Sequence, residues 1–411
     1  MATAKEALKW FVVVWLIFFV SQVYLFHTYQ GNAVATTSLK NVGGGGEEYK
    51  ELHLPHCHSP CLQKFGKNGS WIQDWDFAEL YGQYEEPWVV PPSNLLRSKE
   101  LQFRPQDDTP FRWPTSWKWV DAQPSCPVVP LIQIQMCEVL QNLNISRIVF
   151  FGDSMTGSHY TSFLNLMGPR HITELGRLAS PVDTRTLFCS NTEATVNSTI
   201  RLFHKRDTGG SAFPQSERTN YTLSGDSDLM NFINHDDDST QRALFIFNFG
   251  AHYHNVSWYE EDMAKMLEEL GSLARSQDLY FFRTTSSGHR NAINRRTVDW
   301  TKGTREKPFE SYMDFLRDGW TKKYEWNFFE LYNKITKDFI LDWDTLDEYR
   351  SHQTMHILDV FNMTVLRYDG HIDGLHYSMP GPVDWWNHLL FTYLQELSNA
   401  LVQLNARNCI P

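Results

Sequence analysis

Three polar side chains that are far apart along the chain are of the types that transfer acyl groups. Ser154 ends a Gly-Asp-Ser tripeptide that follows the apolar run 147–151, and Asp373 lies three residues before His376. That spacing brings a carboxylate within reach of an imidazole in one helical turn or a tight loop. The carboxylate then orients the imidazole, and the imidazole takes the serine proton as the serine oxygen attacks an acyl carbon. These residues predict acyl transfer through a serine ester.

Each part of this set also has an ordinary structural explanation. Gly-Asp-Ser occurs again at 225–227, in a polar stretch that no strand precedes. The Asp373–His376 pair fits a capping hydrogen bond equally well, and Asp369 and His371 compete with it locally. The chemistry therefore depends on elements that bring the serine and the pair together.

Four continuous apolar runs predict strands that are buried on both faces of a sheet, as in parallel sheets covered by helices. The runs lie at 147–151, 243–249, 279–283 and 355–361. Helical patterns follow at 155–166, at 258–275 behind a capping box of Ser257 and Glu260, and from Pro382 onwards. We predict an α/β fold with a doubly wound, mostly parallel sheet and helices on both faces.

The predicted sheet places Ser154 where reactive groups collect, beyond the carboxyl end of a strand. The N–H groups at the start of the next helix favour negative charge and can hold an oxyanion. Two other regions show little periodicity. Residues 53–140 hold four cysteines and predict an irregular, disulfide-pinned region packed on a catalytic domain at 141–411, and residues 200–240 predict a long polar excursion.

Composition and charge exclude two classes of protein. The 411 residues include 37 Lys+Arg and 48 Asp+Glu, which gives a net charge of −11 and argues against a nucleic-acid binder. A hydrophobic content of 42% is that of an ordinary globular protein and excludes a disordered chain.

The N-terminus predicts membrane attachment. Residues 10–26 carry no charge and as a helix would span about 26 Å. Lys5 and Lys9 precede this run, so the positive-inside rule predicts a cytosolic tail at 1–9, a transmembrane signal anchor at 10–26 and a flexible stem at 27–52. The alternative is a signal peptide cleaved at 33–35.

Glycan acceptors and cysteines agree with export. In an oxidising compartment an even number of cysteines predicts disulfides, in preference to a zinc site built from His56, Cys57, His58 and Cys61. The candidate cysteines are Cys57, Cys61, Cys126, Cys137, Cys189 and Cys409, and the candidate glycosylation sites are Asn68, Asn144, Asn197, Asn220, Asn255 and Asn362.

Several strings together point to a known family. They are the Gly-Asp-Ser tripeptide, DGLHYSMPGPVDWWN at 373–387, RTTSSGH at 283–289, FNFGAH at 247–252, and the tryptophan- and cysteine-containing strings GSW at 69–71 and WKW at 117–119 with Cys126. From about residue 57 to its end, the chain resembles the plant trichome birefringence-like polysaccharide O-acetyltransferases and the wider PC-esterase branch of SGNH hydrolases.

The resemblance implies an SGNH-hydrolase-like fold and a Golgi-lumenal O-acetyltransferase of type II topology that acetylates a polysaccharide or glycan. It implies Ser154 as nucleophile, His376 as general base and Asp373 as its orienting acid. The expected oxyanion and substrate contacts are Gly152, Asp153, Asn248, His252, Arg283 and His289. No bound cofactor or metal is expected. The acetyl donor, acetyl-CoA or another acyl carrier, is a co-substrate, and a donor transporter is a candidate partner.

The chain departs from the family pattern at two points. Gly157 stands where family members commonly have arginine, so that contact is absent or comes from Arg283, and two cysteines around His376 are replaced together. Three alternatives follow. They are a glycan O-acetyl esterase of the same fold, a Mn-dependent glycosyltransferase using Asp236 and Asp238, and a non-catalytic glycan-binding protein. His252 and His254 are a weaker candidate metal pair.

Overall fold

A computed structural model of the protein describes most of the chain after residue 60. The described residues are 61, 64–81, 113–174, 182–189, 198–206, 241–273, 275, 277–289, 308–319, 323–345, 355–371, 373–377 and 379–407. The predicted tail, anchor and stem at 1–52 lie outside them, as do Cys57, Cys409, Asn197, Asn220, Asp236 and Asp238. Within the described ranges, no helix has both the length and the apolar character that a bilayer crossing requires.

Nine strands form two sheets. They are β1 (Gly69–Gln73), β2 (Trp117–Asp121), β3 (Ile145–Gly152), β4 (Ile172–Glu174), β5 (Val182–Cys189), β6 (Ser198–Arg206), β7 (Arg242–Asn248), β8 (Leu279–Arg283) and β9 (Met355–Leu358). The large sheet has the order β4-β5-β6-β3-β7-β8-β9. Its strands from β6 to β9 are parallel, and β4 and β5 add an antiparallel edge. The predicted parallel-rich α/β sheet is confirmed.

Six α-helices of seven residues or more are described. They are α1 (Trp75–Tyr81), α2 (Gln133–Asn142), α3 (Ser154–Met167), α4 (Val256–Leu273), α5 (Phe329–Thr345) and α6 (Asp384–Arg407). Shorter helical turns lie at Trp113–Ser116, Pro169–His171, Tyr312–Asp314, Phe315–Gly319, Lys323–Phe328, Phe361–Thr364 and Tyr368–Gly370.

Alternate residues of β3 face two separate hydrophobic cores. Ile148 and Phe150 pack in a core with residues of α2, α3 and α6, whereas Val149 and Phe151 pack in a core with residues of α4 and α5. All four side chains have no solvent exposure. A strand covered on both faces needs apolar side chains at every position, which explains the continuous run.

Three sequence-based predictions of local structure are corrected. Residues 53–140 contain regular elements, because β1 and β2 pair antiparallel, α1 lies between them in the chain and α2 begins after them. The predicted polar excursion begins inside a strand, since β6 covers its first residues. The run at 355–361 ends as a strand at Leu358, and a helical turn begins at Phe361.

Helix α4 begins earlier than predicted, with a different cap. Its first residue is Val256, and the side-chain oxygen of Asn255 accepts the N–H groups of Ser257 (2.9 Å) and Trp258 (3.3 Å). Asn255 therefore caps the helix in place of Ser257, because the helix begins two residues earlier than the capping box implies and its first free donors face the asparagine. Helix α6 begins at Asp384, two residues after the predicted start at Pro382.

Two disulfides involve residues 53–140, called the N-terminal region below: one lies within this region and the other joins it to the sheet. Cys61 pairs with Cys126, and Cys137 on α2 pairs with Cys189 on β5. The disulfide prediction is confirmed for these four cysteines, and Cys61 is removed from the alternative zinc site. Among the predicted glycan acceptors that the structure describes, Asn68, Asn144 and Asn362 are exposed and Asn255 is partly exposed, and the Asn362 amide nitrogen donates to the Lys67 carbonyl at 2.9 Å.

Candidate active site

The turn between β3 and α3 lies where the strand order reverses. From β3 the chain proceeds to β6 on one side and returns to β7 on the other, and ligands bind at such a reversal beyond the carboxyl ends of the strands. Ser154 is the first residue of α3, at this point of the sheet. The position follows directly from where β3 ends.

Gly152 and Asp153 shape the turn that carries the serine. Gly152 has φ 153°, and a Cβ there would lie 1.9 Å from the backbone oxygen of Asn248, so only glycine fits. Asp153 caps α3, since its Oδ1 accepts the Met155 N–H at 2.8 Å. Its Oδ2 accepts the Ala251 N–H at 3.3 Å and so links the turn after β3 to the turn after β7.

The structure brings Ser154, His376 and Asp373 together. Ser154 Oγ lies 2.8 Å from Nε2 of His376, although 222 positions separate the two residues. On the other side of the ring, Nδ1 of His376 lies 2.9 Å from Oδ2 and 3.2 Å from Oδ1 of Asp373. A hydroxyl, an imidazole and a carboxylate in this order can pass a proton from serine to histidine.

Backbone donors hold the Asp373 carboxylate in place. Its Oδ1 accepts the N–H groups of Leu375 (2.8 Å) and His376 (2.7 Å). Burial opposes ionisation of this group, but the hydrogen bonds and the charge of His376, together with the backbone donors, hold its pKa well below the usual range. Asp373 is therefore a carboxylate at any pH near neutrality and fixes a proton on Nδ1 of His376.

The three side chains are shielded but not sealed. Ser154 is 6% exposed, and the side chains of His376 and Asp373 are 13% and 12% exposed. A small acyl group can thus approach the serine oxygen from solvent. Burial to this degree strengthens the interactions among the three groups.

Four residues that were expected to contact an oxyanion or substrate are fully buried instead. Asp153, Asn248, Arg283 and His289 each have no solvent exposure. Most of their polar atoms bond protein partners, so in this structure these side chains support the residues around Ser154.

Asn248 and Arg283 form one of these supports. The Asn248 amide nitrogen donates to the Arg283 carbonyl (2.8 Å) and to Thr285 Oγ1 (3.3 Å), so both amide hydrogens are engaged and the predicted oxyanion role lacks a donor. Arg283 donates to Asn248 Oδ1 at 2.6 Å and to Thr156 Oγ1 at 3.3 Å, and its guanidinium stacks on Trp386 at 4.5 Å. Burial lowers the pKa of Arg283 to about 10, so it keeps its charge at neutral pH.

The remaining candidates have varied surroundings. The two local competitors of the Asp373–His376 pair have other partners. His371 contacts the ring of His289, and Asp369 pairs with Arg367. His252 is partly exposed on the turn after β7. No group of three or more His, Cys, Asp or Glu side chains within the described ranges is arranged to hold a metal ion.

Gly157 faces strand β6 rather than the catalytic residues. A Cβ at this position would lie 3.4 Å from Cε1 of His204. Arg283 is buried and reaches Thr156, the residue before Gly157, at 3.3 Å. Arg283 therefore supplies positive charge beneath the start of α3 but does not present a surface group at position 157.

The function of Asp384 was missed, although the residue belongs to a recognised string. Its Oδ1 accepts the Ser162 hydroxyl at 2.5 Å, and its Oδ2 accepts the Gly381 N–H at 2.8 Å. Asn387 also donates to Ser162 Oγ at 2.9 Å. These contacts tie α6 to α3, so the string after His376 positions the helix that carries the serine.

No family model matches the chain. Trichome birefringence-like protein 7 of Arabidopsis thaliana is 24% identical to it over 351 residues, which cover 80% of this chain and 72% of the relative. The chain is thus similar to a trichome birefringence-like protein over most of its length, and the resemblance drawn from its motifs is confirmed.

Proposed function

We propose that the protein is a serine-dependent O-acyltransferase that moves an acetyl group from an acyl donor to a hydroxyl of a polysaccharide. The observation that carries this proposal is the hydrogen-bonded series from Ser154 through His376 to Asp373, with distances of 2.8 and 2.9 Å. The similarity to a trichome birefringence-like protein supports the substrate class. The 2-1-3-4-5 order of the five parallel strands supports an SGNH-hydrolase-like fold.

In the first half-reaction the serine oxygen takes the acyl group. His376 Nε2 accepts the Ser154 hydroxyl proton as Oγ bonds to the acyl carbon, and the carbonyl oxygen becomes an oxyanion. His376 then gives this proton to the leaving group, whose bond to the acyl carbon breaks. Acetyl-Ser154 and the free donor remainder result.

The first turn of α3 stabilises the oxyanion. The N–H groups at a helix start lack intrahelical acceptors and carry partial positive charge. The Asp153 carboxylate accepts the Met155 N–H, and we assign the Ser154 N–H to the oxyanion. This backbone donor replaces the Asn248 amide in that role.

In the second half-reaction a sugar hydroxyl replaces the donor. Its proton passes to His376 Nε2 while its oxygen attacks the acetyl carbon. The ester bond to Ser154 then breaks, and the serine oxygen recovers the proton. Water in place of the sugar would make the protein an esterase, so acceptor positioning and exclusion of water determine the outcome.

We also propose that the catalytic domain is lumenal and that residues 10–26 anchor it in the Golgi membrane. The apolar run with its preceding lysines supports the anchor. The two described disulfides support an oxidising compartment.

The test uses the full-length chain in detergent with p-nitrophenyl acetate as donor and deacetylated cell-wall polysaccharide as acceptor. We expect mass spectrometry to find an acetyl group on Ser154 and on the glycan. Ser154→Ala should abolish both. Ser158→Ala, one turn along the same helix, removes a hydroxyl that bonds only the Ser154 carbonyl at 3.3 Å and should retain activity.

Each other outcome has a defined meaning. Glycan acetylation by Ser154→Ala would end the serine mechanism. Acetyl-Ser154 that releases acetate without an acetylated glycan would establish the esterase. Strict dependence on Mn²⁺ would transfer the proposal to Asp236 and Asp238.

A further inference from the structure

Two buried histidines that the proposed mechanism does not use contact the backbone of residues 373–377, the loop that carries Asp373 and His376 and is called the catalytic loop below. His289 and His371 have no solvent exposure, and Nδ1 of His289 lies 2.6 Å from Nε2 of His371. The outer nitrogens also have partners. His289 Nε2 lies 2.7 Å from the Val365 carbonyl oxygen, and His371 Nδ1 lies 3.2 Å from the His376 carbonyl oxygen.

The number of protons in this series follows from its acceptors. The two carbonyl oxygens at the ends only accept, so His289 Nε2 and His371 Nδ1 must each carry a proton. The central contact between two ring nitrogens needs one more. Three protons on two imidazoles amount to one positive charge, whereas a neutral pair has only two.

A neutral pair must therefore lose one of the three hydrogen bonds. The contact of His371 with the His376 carbonyl is the longest, at 3.2 Å against 2.6 and 2.7 Å, and is the weakest of the three. In the neutral pair a lone pair of His371 Nδ1 would face the lone pairs of that carbonyl oxygen. Loss of the proton thus acts on the backbone of His376.

The pair holds the catalytic loop at two points. Besides the contact at His376, the backbone N–H of His289 donates to the Gly374 carbonyl at 2.8 Å. Gly374 lies between His376, the proposed general base, and Asp373, the carboxylate that orients it. A shift of this backbone alters the 2.8 Å contact between His376 and Ser154.

Charged and titratable groups surround the pair on several elements. The Tyr377 ring stacks on His371 at 3.9 Å, and burial raises the pKa of its hydroxyl, which donates to Ser287 and Thr364 carbonyls. The turn 368–370 contributes Asp369, paired with the buried Arg367, and the catalytic loop contributes Asp373 and His376.

Residues 308–319 also pack against the pair, because Phe309 and Phe315 contact the His289 ring. The charged and titratable side chains of this segment have other surroundings. Glu310 is exposed, Tyr312 donates to Glu330, and Asp314 pairs with Arg317.

We propose that His289 and His371 share one added proton and that the charged pair positions His376 through its backbone carbonyl. Both are positioning residues, and the inference rests on the proposed serine mechanism. Activity is then limited at high pH by loss of the shared proton. Activity falls rather than rises with pH, because only the charged pair makes all three hydrogen bonds.

The first experiment counts protons without using activity. The full-length chain is labelled with ¹⁵N-histidine, and the ring N–H signals of the pair are assigned with the variants His289→Asn and His371→Asn. We expect three ring N–H protons on the pair below the alkaline transition and two above it. Two protons at every pH from 5 to 9 would overturn the proposal.

The second experiment measures the rate at which a fluorophosphonate labels Ser154 between pH 5 and 9. We expect the wild-type rate to fall about tenfold on the alkaline side, the equivalent of one lost hydrogen bond. In His289→Asn the side-chain amide donates to His371 at every pH, and in His371→Asn the amide donates to His376. Both variants should lose the alkaline fall and retain rates within about twofold at the optimum.

The exposed His254 supplies the matched control, since His254→Asn should keep the wild-type profile. An alkaline fall that persists in both variants of the pair would overturn the proposal, as would a wild-type profile without one. No labelling of Ser154 at any pH would contradict the proposed function instead, and the proton count would still decide the state of the pair.

Discussion

The hydroxyl of Ser154, the proposed nucleophile, owes its position to the two residues before it in the turn after β3. Gly152 permits the turn because a side chain would collide with the Asn248 backbone, and Asp153 caps the helix that begins at the serine. Asp373 acts one step further away, through the ring of His376. The Asp373 carboxylate holds the ring proton of His376 on Nδ1 and so leaves Nε2 free to accept a proton from Ser154.

Replacing Asp373 by asparagine isolates that charge. The amide oxygen still accepts the Leu375 and His376 N–H groups, but the amide N–H groups then face Nδ1 of His376. That nitrogen becomes an acceptor, the ring proton moves to Nε2, and the serine loses its base. We expect kcat for acetyl transfer to fall roughly 10³- to 10⁴-fold, with KM nearly unchanged.

Asp314→Asn is the control, because Asp314 pairs with Arg317 on a different segment and should leave kcat unchanged. Thermal unfolding of both variants shows whether the fold is retained. A kcat for Asp373→Asn within tenfold of wild type would contradict the assigned role. Since the pKa of Asp373 lies well below its usual range, its titration contributes no limb to the pH profile near neutrality.

Helix α6 joins the N-terminal region to the helix that carries the serine. Trp385 packs edge-on against Trp71 of β1 at 5.4 Å, and Asp384 binds Ser162 of α3. His388 Nδ1 accepts the Leu131 N–H at 3.0 Å. One helix thus fixes β1, α2 and α3 relative to one another.

His388 makes this contact sensitive to acid. Burial lowers the pKa of His388 to about 3, and its Nδ1 must stay unprotonated to accept from Leu131. The unfolded chain binds a proton near pH 6.5 that the native protein excludes, so this contribution to stability is present above pH 6.5 and is lost as the pH falls towards 3. Between pH 7 and 5 it amounts to about 2 kcal/mol.

His388→Asn tests this at the scale of the helix, because the asparagine oxygen keeps an acceptor for Leu131 but does not titrate. Denaturant unfolding of the full-length chain at pH 7 and pH 5 should show an acid-induced loss that is smaller than wild type by about 2 kcal/mol. The exposed His254→Asn should lose stability as wild type does. An unchanged acid response in His388→Asn would refute the argument.

Over the whole molecule, the disulfides and the core on the α6 side of the sheet act together. Trp71 and Trp119 belong to the same hydrophobic cluster as Leu389 and Leu394 of α6. The Cys137–Cys189 bond closes a sequence separation of 52 residues and fastens α2 to the antiparallel edge of the sheet. The N-terminal region is therefore part of the folded core.

Removing that bond should destabilise the entire unit. Cys137→Ala and Cys189→Ala each break the same link, so we expect each variant and the double variant to lose a similar 2 to about 4 kcal/mol of unfolding free energy. Denaturant unfolding under non-reducing conditions measures this loss. Fully additive losses, or losses below about 1 kcal/mol, would show that the bond does not constrain the unfolded chain.

Sequence patterns determined the features that depend on neighbouring residues. Continuous apolar runs located β3, β7 and β8 within one or two residues, since strands buried on both faces need apolar side chains throughout. The runs also placed Ser154 at a strand end, and the three-residue spacing marked Asp373 and His376. Strand β6 was missed because polar residues such as Arg201, His204 and Lys205 interrupt its apolar ones.

Only the tertiary structure decided what depends on contacts between distant positions. It joined Ser154 to His376, paired Cys61 with Cys126 and Cys137 with Cys189, and buried Asn248, Arg283 and His289. A motif records which side chains are present but not which of their atoms are already hydrogen-bonded. Burial and partner geometry arise from packing of the whole sheet and its helices, and these separate the residues that can react from those that hold them in place.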